Sequence, residues 1–232
     1  MNKILGKSFE SLIIVRFRYM WLGDFALSCA EFMELVILSW YVLNETNSPM
    51  ILGMYAALRF TGTLFSPFFG VIVDRLGRRN IYIFARISFV ILSTIVMVLY
   101  VTDSISVTYV LLISPFVGLS RSLDMIVRQS LIPAIVGSEM LRNSIALLRT
   151  SRDITQIVGP IMGGVLLESL GASISYLVIV CLYCLALGFV LMIRDIPNDS
   201  SDSKESLISN FKRGISYVLL HPFLVKTSNA KS

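Results

Sequence analysis

The residues that most often carry catalysis or bind metals are scarce in this chain of 232 residues. It has one histidine, His221, next to a proline, and three cysteines that lie inside apolar runs: Cys29, Cys181 and Cys184. A cysteine in such surroundings behaves as a small apolar residue. Without a metal-ligand cluster or a nucleophile beside a base, the sequence predicts no enzyme, no metal site and no cofactor.

Charged residues are also few, at 15%, whereas hydrophobic residues make up 55% and the mean hydropathy is +0.77. This composition argues against a soluble domain and favours a polytopic membrane protein. Lysine and arginine are absent from the segments 44–49, 102–104 and 171–173, which the positive-inside rule identifies as outer loops. The formal net charge of +5 therefore belongs to the inner membrane face and does not indicate nucleic acid as a partner.

Six apolar runs are each long enough to cross the lipid bilayer as helices, which takes roughly 20 residues. They predict an all-α integral membrane bundle in the cell membrane, with both termini in the cytoplasm. The predicted helices are 19–43, 50–73, 81–101, 105–127, 143–170 and 172–193. Residues 1–194 would form this six-helix unit. Residues 195–232 would form a cytoplasmic linker with an amphipathic helix and a truncated start of a seventh helix.

A polar, basic turn separates the second and third runs and follows the pattern G-x-x-x-D-R-x-G-R-R. Glycine tolerates a tight reversal there. Asp74 either pairs with Arg78 or lies against the positive N-terminal end of the next helix. The pattern resembles the signature loop of the major facilitator superfamily of secondary transporters, which implies a latch between cytoplasmic helix ends. Its residues are Gly70, Asp74, Arg75, Gly77, Arg78 and Arg79.

The turn has a shorter counterpart later in the chain. Gly70-x-x-x-Asp74-x-x-Gly77 is matched by Gly164-x-x-x-Glu168-x-x-Gly171, which lacks the arginines. A repeat of this kind predicts two inverted three-helix repeats, the arrangement within one half of this superfamily. Inversion places the second copy outside, where basic residues are disfavoured.

Four charged residues lie within the first two predicted helices. Asp24, Glu31 and Glu34 project toward one side of the first helix, and Arg59 lies in the second at about the depth of Glu34. A charge at that depth costs about 2.5–3.5 kcal/mol unless it is paired or hydrated. We therefore expect Arg59 to pair with Glu34 or Glu31, and the remaining acid to exchange protons in step with substrate. The alternative is a purely structural ion pair.

The fourth predicted helix carries three charges near its inner end, Arg121, Asp124 and Arg128. Asp124 can reach either arginine at helical spacing. These residues would line or gate a cavity, or form a solvated helix end.

The fifth predicted helix contains Gly159, Pro160, Gly163 and Gly164. Small residues permit close contact between helices, and proline removes one backbone hydrogen bond. The group resembles the core of a motif of drug–proton antiporters, with Thr155 at a position where that motif has glycine. Packing between helices is the alternative explanation of the glycines.

The connection after the fourth predicted helix resembles one particular branch of the superfamily. Its residues 128–136 and the pattern Glu139-x-Leu141-x-Asn143 resemble the drug-efflux branch that includes enterobactin-exporter-like and macrolide-efflux proteins. The resemblance implies proton-coupled efflux of small hydrophobic or amphipathic compounds, with protons, a small-molecule substrate and the lipid bilayer as partners.

Chain length leaves alternatives to that function. The superfamily is about twice as long, so the chain is expected to be an N-terminal half that either pairs with a second six-helix half or is truncated. A non-transporting membrane subunit or scaffold, and a nutrient uptake carrier of the same fold, are the alternative functions.

Overall fold

The computed structural model describes residues 10–66, 69–70, 73 and 77–193, and these residues contain helices and turns but no strand. A short 3₁₀ turn, Glu10–Ile13, precedes the first long helix. The α-helices are α1 (Val15–Thr46), α2 (Pro49–Arg59), α3 (Thr61–Leu64), α4 (Arg78–Val101) and α5 (Val107–Leu191). Asp74 and Arg75 of the basic turn, and the linker expected at 195–232, lie outside the described residues.

The first reversal, between α1 and α2, is shorter than the sequence suggests. α1 continues to Thr46, and Asn47 closes it in the left-handed conformation, its N–H donating to Leu43 O at 2.8 Å. Such a C-cap ends a helix and turns the chain. Pro49 then begins α2 at a position where its missing N–H costs nothing.

The second predicted helix is interrupted after Arg59. Phe60 separates α2 from α3, and its N–H donates to Ala57 O at 3.0 Å, three residues back rather than four. The Thr61 hydroxyl donates to Leu58 O at 2.7 Å. Both bonds tighten the backbone locally, as 3₁₀ turns within helices do. The expectation of one continuous helix over 50–73 is therefore wrong at this point.

Two glycines divide the 85 residues of α5 into three segments. Gly137 and Gly171 adopt φ of 70° and 79°, which only glycine reaches without strain. We call the segments α5a (107–136), α5b (138–170) and α5c (172–191). The connection expected at 128–142 is helical on both sides of Gly137, because the reversal needs one glycine rather than a loop.

Contacts with α1 give the directions of α5b and α5c. Trp21 Nε1 donates to Ser151 Oγ at 2.6 Å, and twelve residues further along both helices Met33 contacts Gly163, so α5b runs parallel to α1. Tyr183 donates to Glu34 at 3.0 Å. Because Ala186, later in α5c, contacts Gly23, earlier in α1, α5c runs antiparallel to α1. The chain therefore reverses at Gly171.

The segment α5a is also antiparallel to α1. Arg121 contacts Glu31, whereas Arg128, later in α5a, contacts Asp24, earlier in α1. Since α5b is parallel to α1, the chain also reverses at Gly137.

The surface of the bundle is apolar as well as its interior. Large side chains such as Ile91 and Ile157 are 53% and 67% exposed. By length and composition, α1, α4 and α5 can each cross a membrane. Because lipid accepts apolar surface, a helical integral membrane protein accounts for these features.

The course of α5a predicts that its two ends lie on opposite faces of the membrane. Ser104 precedes it and Ser138 follows it, separated by about 45 Å of helix at 1.5 Å per residue. Both side chains are exposed. In a variant whose native cysteines are alanine, a membrane-impermeant maleimide should label Ser104→Cys and Ser138→Cys from opposite sides. Labelling of both from the same side would contradict this topology.

Candidate functional site

The most deeply buried charge is Arg86 of α4, which has no exposed surface. Its Nη1 donates to Gly23 O at 3.1 Å, and its Nη2 contacts Asp24 Oδ1 and the Tyr82 hydroxyl. Its Nε lies 2.7 Å from Asp124 Oδ1 as an ion pair, without a straight hydrogen bond. One guanidinium thus joins α1, α4 and α5a.

A second arginine completes this group. Arg128 Nη1 lies 3.3 Å from Asp24 Oδ2, and the Tyr82 hydroxyl donates to Asp24 Oδ1 at 3.0 Å. We call Asp24, Tyr82, Arg86, Asp124 and Arg128 the Arg86 cluster. With two acids and two arginines, its formal charges balance.

The sequence left Arg121 and Arg128 as possible partners of Asp124 within one helix. The structure instead pairs Asp124 with Arg86, and turns Arg128 toward Asp24 and Arg121 toward Glu31. The interhelical arrangement prevails because a buried guanidinium between two carboxylates removes more uncompensated charge than a pair at a hydrated helix end.

A second cluster surrounds Arg59, which is 4% exposed. Its Nη1 donates to the Tyr55 hydroxyl at 2.8 Å, and its Nη2 lies 3.8 Å from Glu34 Oε2. The Tyr183 hydroxyl donates to the same oxygen at 3.0 Å. Of the two partners expected for Arg59, Glu34 is thus the one in contact. We call Glu34, Tyr55, Arg59 and Tyr183 the Arg59 cluster.

Both clusters use a tyrosine four residues before the arginine. Tyr55 and Tyr82 place their hydroxyls at 2.8 and 2.7 Å from the guanidinium groups of Arg59 and Arg86. The guanidinium carbons also lie 5.8 and 4.8 Å from the ring centroids. The spacing Tyr-x-x-x-Arg in apolar helices is the feature of the sequence that marks both sites. Arg86 itself could have been found by the argument on depth that identified Arg59.

The third group is centred on Glu31, which is 4% exposed. Arg121 Nε lies 3.6 Å from Oε1, and Arg152 Nη2 of α5b lies 3.9 Å from Oε2. Both arginine side chains are 32% exposed. We call these residues the Glu31 cluster. Arg152 was not predicted, because only the fold brings α5b against α1.

The glycines of α5b separate into two kinds. A Cβ on Gly159 would lie 2.7 Å from Phe32 Cβ, and one on Gly163 would lie 3.0 Å from Met33 Cα. A Cβ on Gly164 would have no atom within 4 Å. The first two therefore allow α5b to pack closely on α1 beside Glu31 and Glu34. Pro160 lies within the same helix and is partly exposed.

A tighter crossing lies beside Arg59. A Cβ on Gly62 would overlap the carbonyl oxygen of Gly118, and one on Gly118 would lie 2.5 Å from Arg59 O. The end of α2 and the start of α3 thus rest directly on the backbone of α5a. This contact positions Arg59 toward Glu34.

Described residues of the basic turn, Arg79 among them, contact residues near the start of α1 and just beyond α5c. Gly77, at φ of 84°, precedes α4. Arg79 Nε donates to Ile193 O at 3.1 Å, just beyond α5c. Val73 is buried in the same apolar group as Phe17 and Ile193. Asp74 and Arg75 are outside the described residues, so their pairing stays a prediction.

An all-helical bundle with apolar surfaces and charges held inside defines the class as a helical integral membrane protein. Residues 7–226 match the family model described as transmembrane secretion effector, one of the major facilitator superfamily. The chain belongs to this family. No curated protein matches the chain. The family consists of transporters rather than enzymes, so a small-molecule substrate and the lipid bilayer are its partners.

The crossing at Gly62 predicts a selective effect of alanine. Gly62→Ala should lower stability by about 1–3 kcal/mol, because the new methyl group has no space beside Gly118. Gly53→Ala in α2 is the matched control. A Cβ there meets no atom within 4 Å, and alanine favours a helix by about 0.5–1 kcal/mol. Thermal unfolding in detergent measures both, and equal midpoints would contradict the close crossing.

Proposed function

We propose that this chain carries out proton-coupled efflux of small hydrophobic or amphipathic compounds, with Glu31 and Glu34 as the proton-carrying groups. Membership of the transmembrane secretion effector family supports transport in general. The observation that carries the proposal is the layer of charge along α1. Two carboxylates three residues apart lie inside the bundle, each facing arginine from another helix.

The geometry supports different tasks for the two acids. Glu34 is held by the Tyr183 hydroxyl and faces Arg59 at 3.8 Å. Glu31 faces Arg121 and Arg152, whose side chains are partly exposed and would let water reach the acid. Protons would reach Glu31 first and pass to Glu34 one turn further along α1. Taking up a proton there would loosen the ion pair with Arg59 and change how α1 and α2 pack.

We further propose six membrane crossings in two inverted repeats, with both termini in the cytoplasm of the cell. The first repeat would comprise α1, the segment that begins with α2 and α3, and α4. The second would comprise α5a, α5b and α5c. The matched glycines support this, since Gly77 and Gly171 end the two copies of the short pattern and both have positive φ.

In this scheme the basic turn is a latch at the cytoplasmic face. The contact from Arg79 to Ile193 O already ties the start of α4 to the end of α5c. Asp74, Arg75 and Arg78 would add further contacts to helix ends. Alternating access would require these contacts to break and form again as the helices rock.

The glycines of α5b would serve the same motion. Gly159 and Gly163 give α5b a smooth surface against α1, over which small displacements meet few side chains. Pro160 frees one backbone carbonyl from its helical hydrogen bond. The antiporter role of this surface rests on the resemblance, and its packing role rests on the contacts.

The proton-coupling proposal predicts a loss of coupled flux in proteoliposomes with a pH-sensitive dye inside. A panel of amphipathic dyes of either charge should drive proton movement through the parent protein. Glu31→Gln and Glu34→Gln together should lower that movement at least about tenfold, because amides do not carry protons. Glu139→Gln, at an exposed acid near Gly137, is the control.

Two results would contradict the proposal. Dye-driven proton flux that persists in the double variant would remove the two acids from the pathway. No flux from the parent would favour a non-transporting subunit or scaffold, and inward accumulation of a nutrient would favour an uptake carrier.

A further inference from the structure

The Glu31 cluster differs from the other two groups of buried charge in its balance. The Arg86 cluster has two acids and two arginines, and the Arg59 cluster has one of each. Among the described residues, Glu31 faces two arginines, Arg121 and Arg152, which leaves a surplus of one positive charge. A surplus charge in a low-dielectric interior is costly unless an anion or water compensates it.

The two arginines also retain unused capacity to donate hydrogen bonds. Their contacts with Glu31 are 3.6 and 3.9 Å, longer than hydrogen bonds, and Glu31 Oε1 has no hydrogen-bond partner in the described part of the chain. Each guanidinium carries five N–H donors in a planar fork that suits carboxylate and phosphate oxygens. The carboxylate of Glu31 therefore holds the arginines near each other without saturating them.

The side chains of Arg121 and Arg152 are accessible from outside the bundle. Each side chain is 32% exposed, and near Arg152 on α5b four other polar residues are exposed: Arg149, Thr150, Asp153 and Gln156. A run of charged residues near the middle of a membrane helix faces water or protein. The Phe32 ring centroid lies 6.0 Å from the Arg152 guanidinium carbon, so an apolar ring adjoins this arginine.

We propose that Arg121 and Arg152 bind the oxyanion of an amphipathic ligand, a carboxylate or phosphate group joined to an apolar body. The oxyanion bridges the two guanidinium groups in place of Glu31, and Phe32 contacts the apolar body. As a statement about the transported substrate, this rests on the proposed function. A transported organic acid and a lipid headgroup share this chemistry.

Equilibrium dialysis of the purified chain in nonionic detergent tests the site with a matched pair of probes. 1-Naphthaleneacetate should bind at least about tenfold tighter than uncharged 1-naphthaleneacetamide, the size of effect expected for charge-assisted hydrogen bonds. Arg121→Gln and Arg152→Gln should each remove most of that preference. Arg142→Gln, at an exposed arginine on the same helix as Arg152, should leave it within about twofold.

A variant that binds the acid more tightly than the parent shows that lost binding in the arginine variants is not a general effect of misfolding. Glu31→Gln removes the competing carboxylate, so it should tighten binding of 1-naphthaleneacetate by several-fold. Equal binding of acid and amide to the parent, or a preference that survives both arginine substitutions, would overturn the proposal. So would unchanged or weaker binding of the acid to Glu31→Gln.

Mixed micelles distinguish the two sources of the oxyanion. Displacement of 1-naphthaleneacetate by phosphatidylglycerol, but not by phosphatidylcholine, identifies an anionic headgroup as the occupant. Displacement by neither lipid identifies a soluble organic anion, and both results support the oxyanion site. Because binding at equilibrium requires no transport, failure of this experiment leaves proton coupling untouched. Failure of the flux experiment likewise leaves the site untouched.

Discussion

The contact of Arg86 with Asp24 and Asp124 is the interaction on which the helix arrangement depends. It joins α1, α4 and α5a, and its guanidinium has no exposed surface. Taking such charges out of water costs several kcal/mol each, which only close opposite charges offset. Any sliding or rotation of α4 relative to α1 would leave Arg86 uncompensated. The cluster therefore specifies one packing among the many that apolar helices in lipid could otherwise adopt.

The three acidic residues of α1 differ in how completely their charges are balanced and enclosed by neighbouring residues. At Asp24 the charges balance and are almost wholly enclosed. Glu34 faces a single arginine at a longer distance, so its ion pair is looser. Around Glu31 the arginines are partly exposed and outnumber the acid. The first arrangement suits a fixed joint, whereas the other two suit groups that exchange partners, protons or ligands.

The sequence predicted the features that depend on one helix at a time. Long apolar runs predicted membrane-spanning helices, and matched depth predicted a partner for Arg59. The break at Phe60 was missed because local hydrogen bonds decide it. A reversal was expected within 128–142, but its restriction to Gly137 was missed because a single φ angle decides it. The partners of Arg86 and Arg152 depend on how helices rotate about their axes. The hydropathy pattern of a sequence carries little information about that rotation. The sequence shows only that Arg86 lies in an apolar segment and Arg152 in a mixed one.

The most direct test of pairing between buried charges is a double-mutant cycle on Arg86 and Asp124, read as thermal unfolding in detergent. Arg86→Gln alone leaves Asp124 unpaired, and Asp124→Asn alone leaves a surplus arginine, so each should destabilise by about 3–5 kcal/mol. Together they leave Asp24 with Arg128, a balanced pair. The double variant should therefore be more stable than the sum of the single effects by at least about 1 kcal/mol. Effects that simply add would contradict the account.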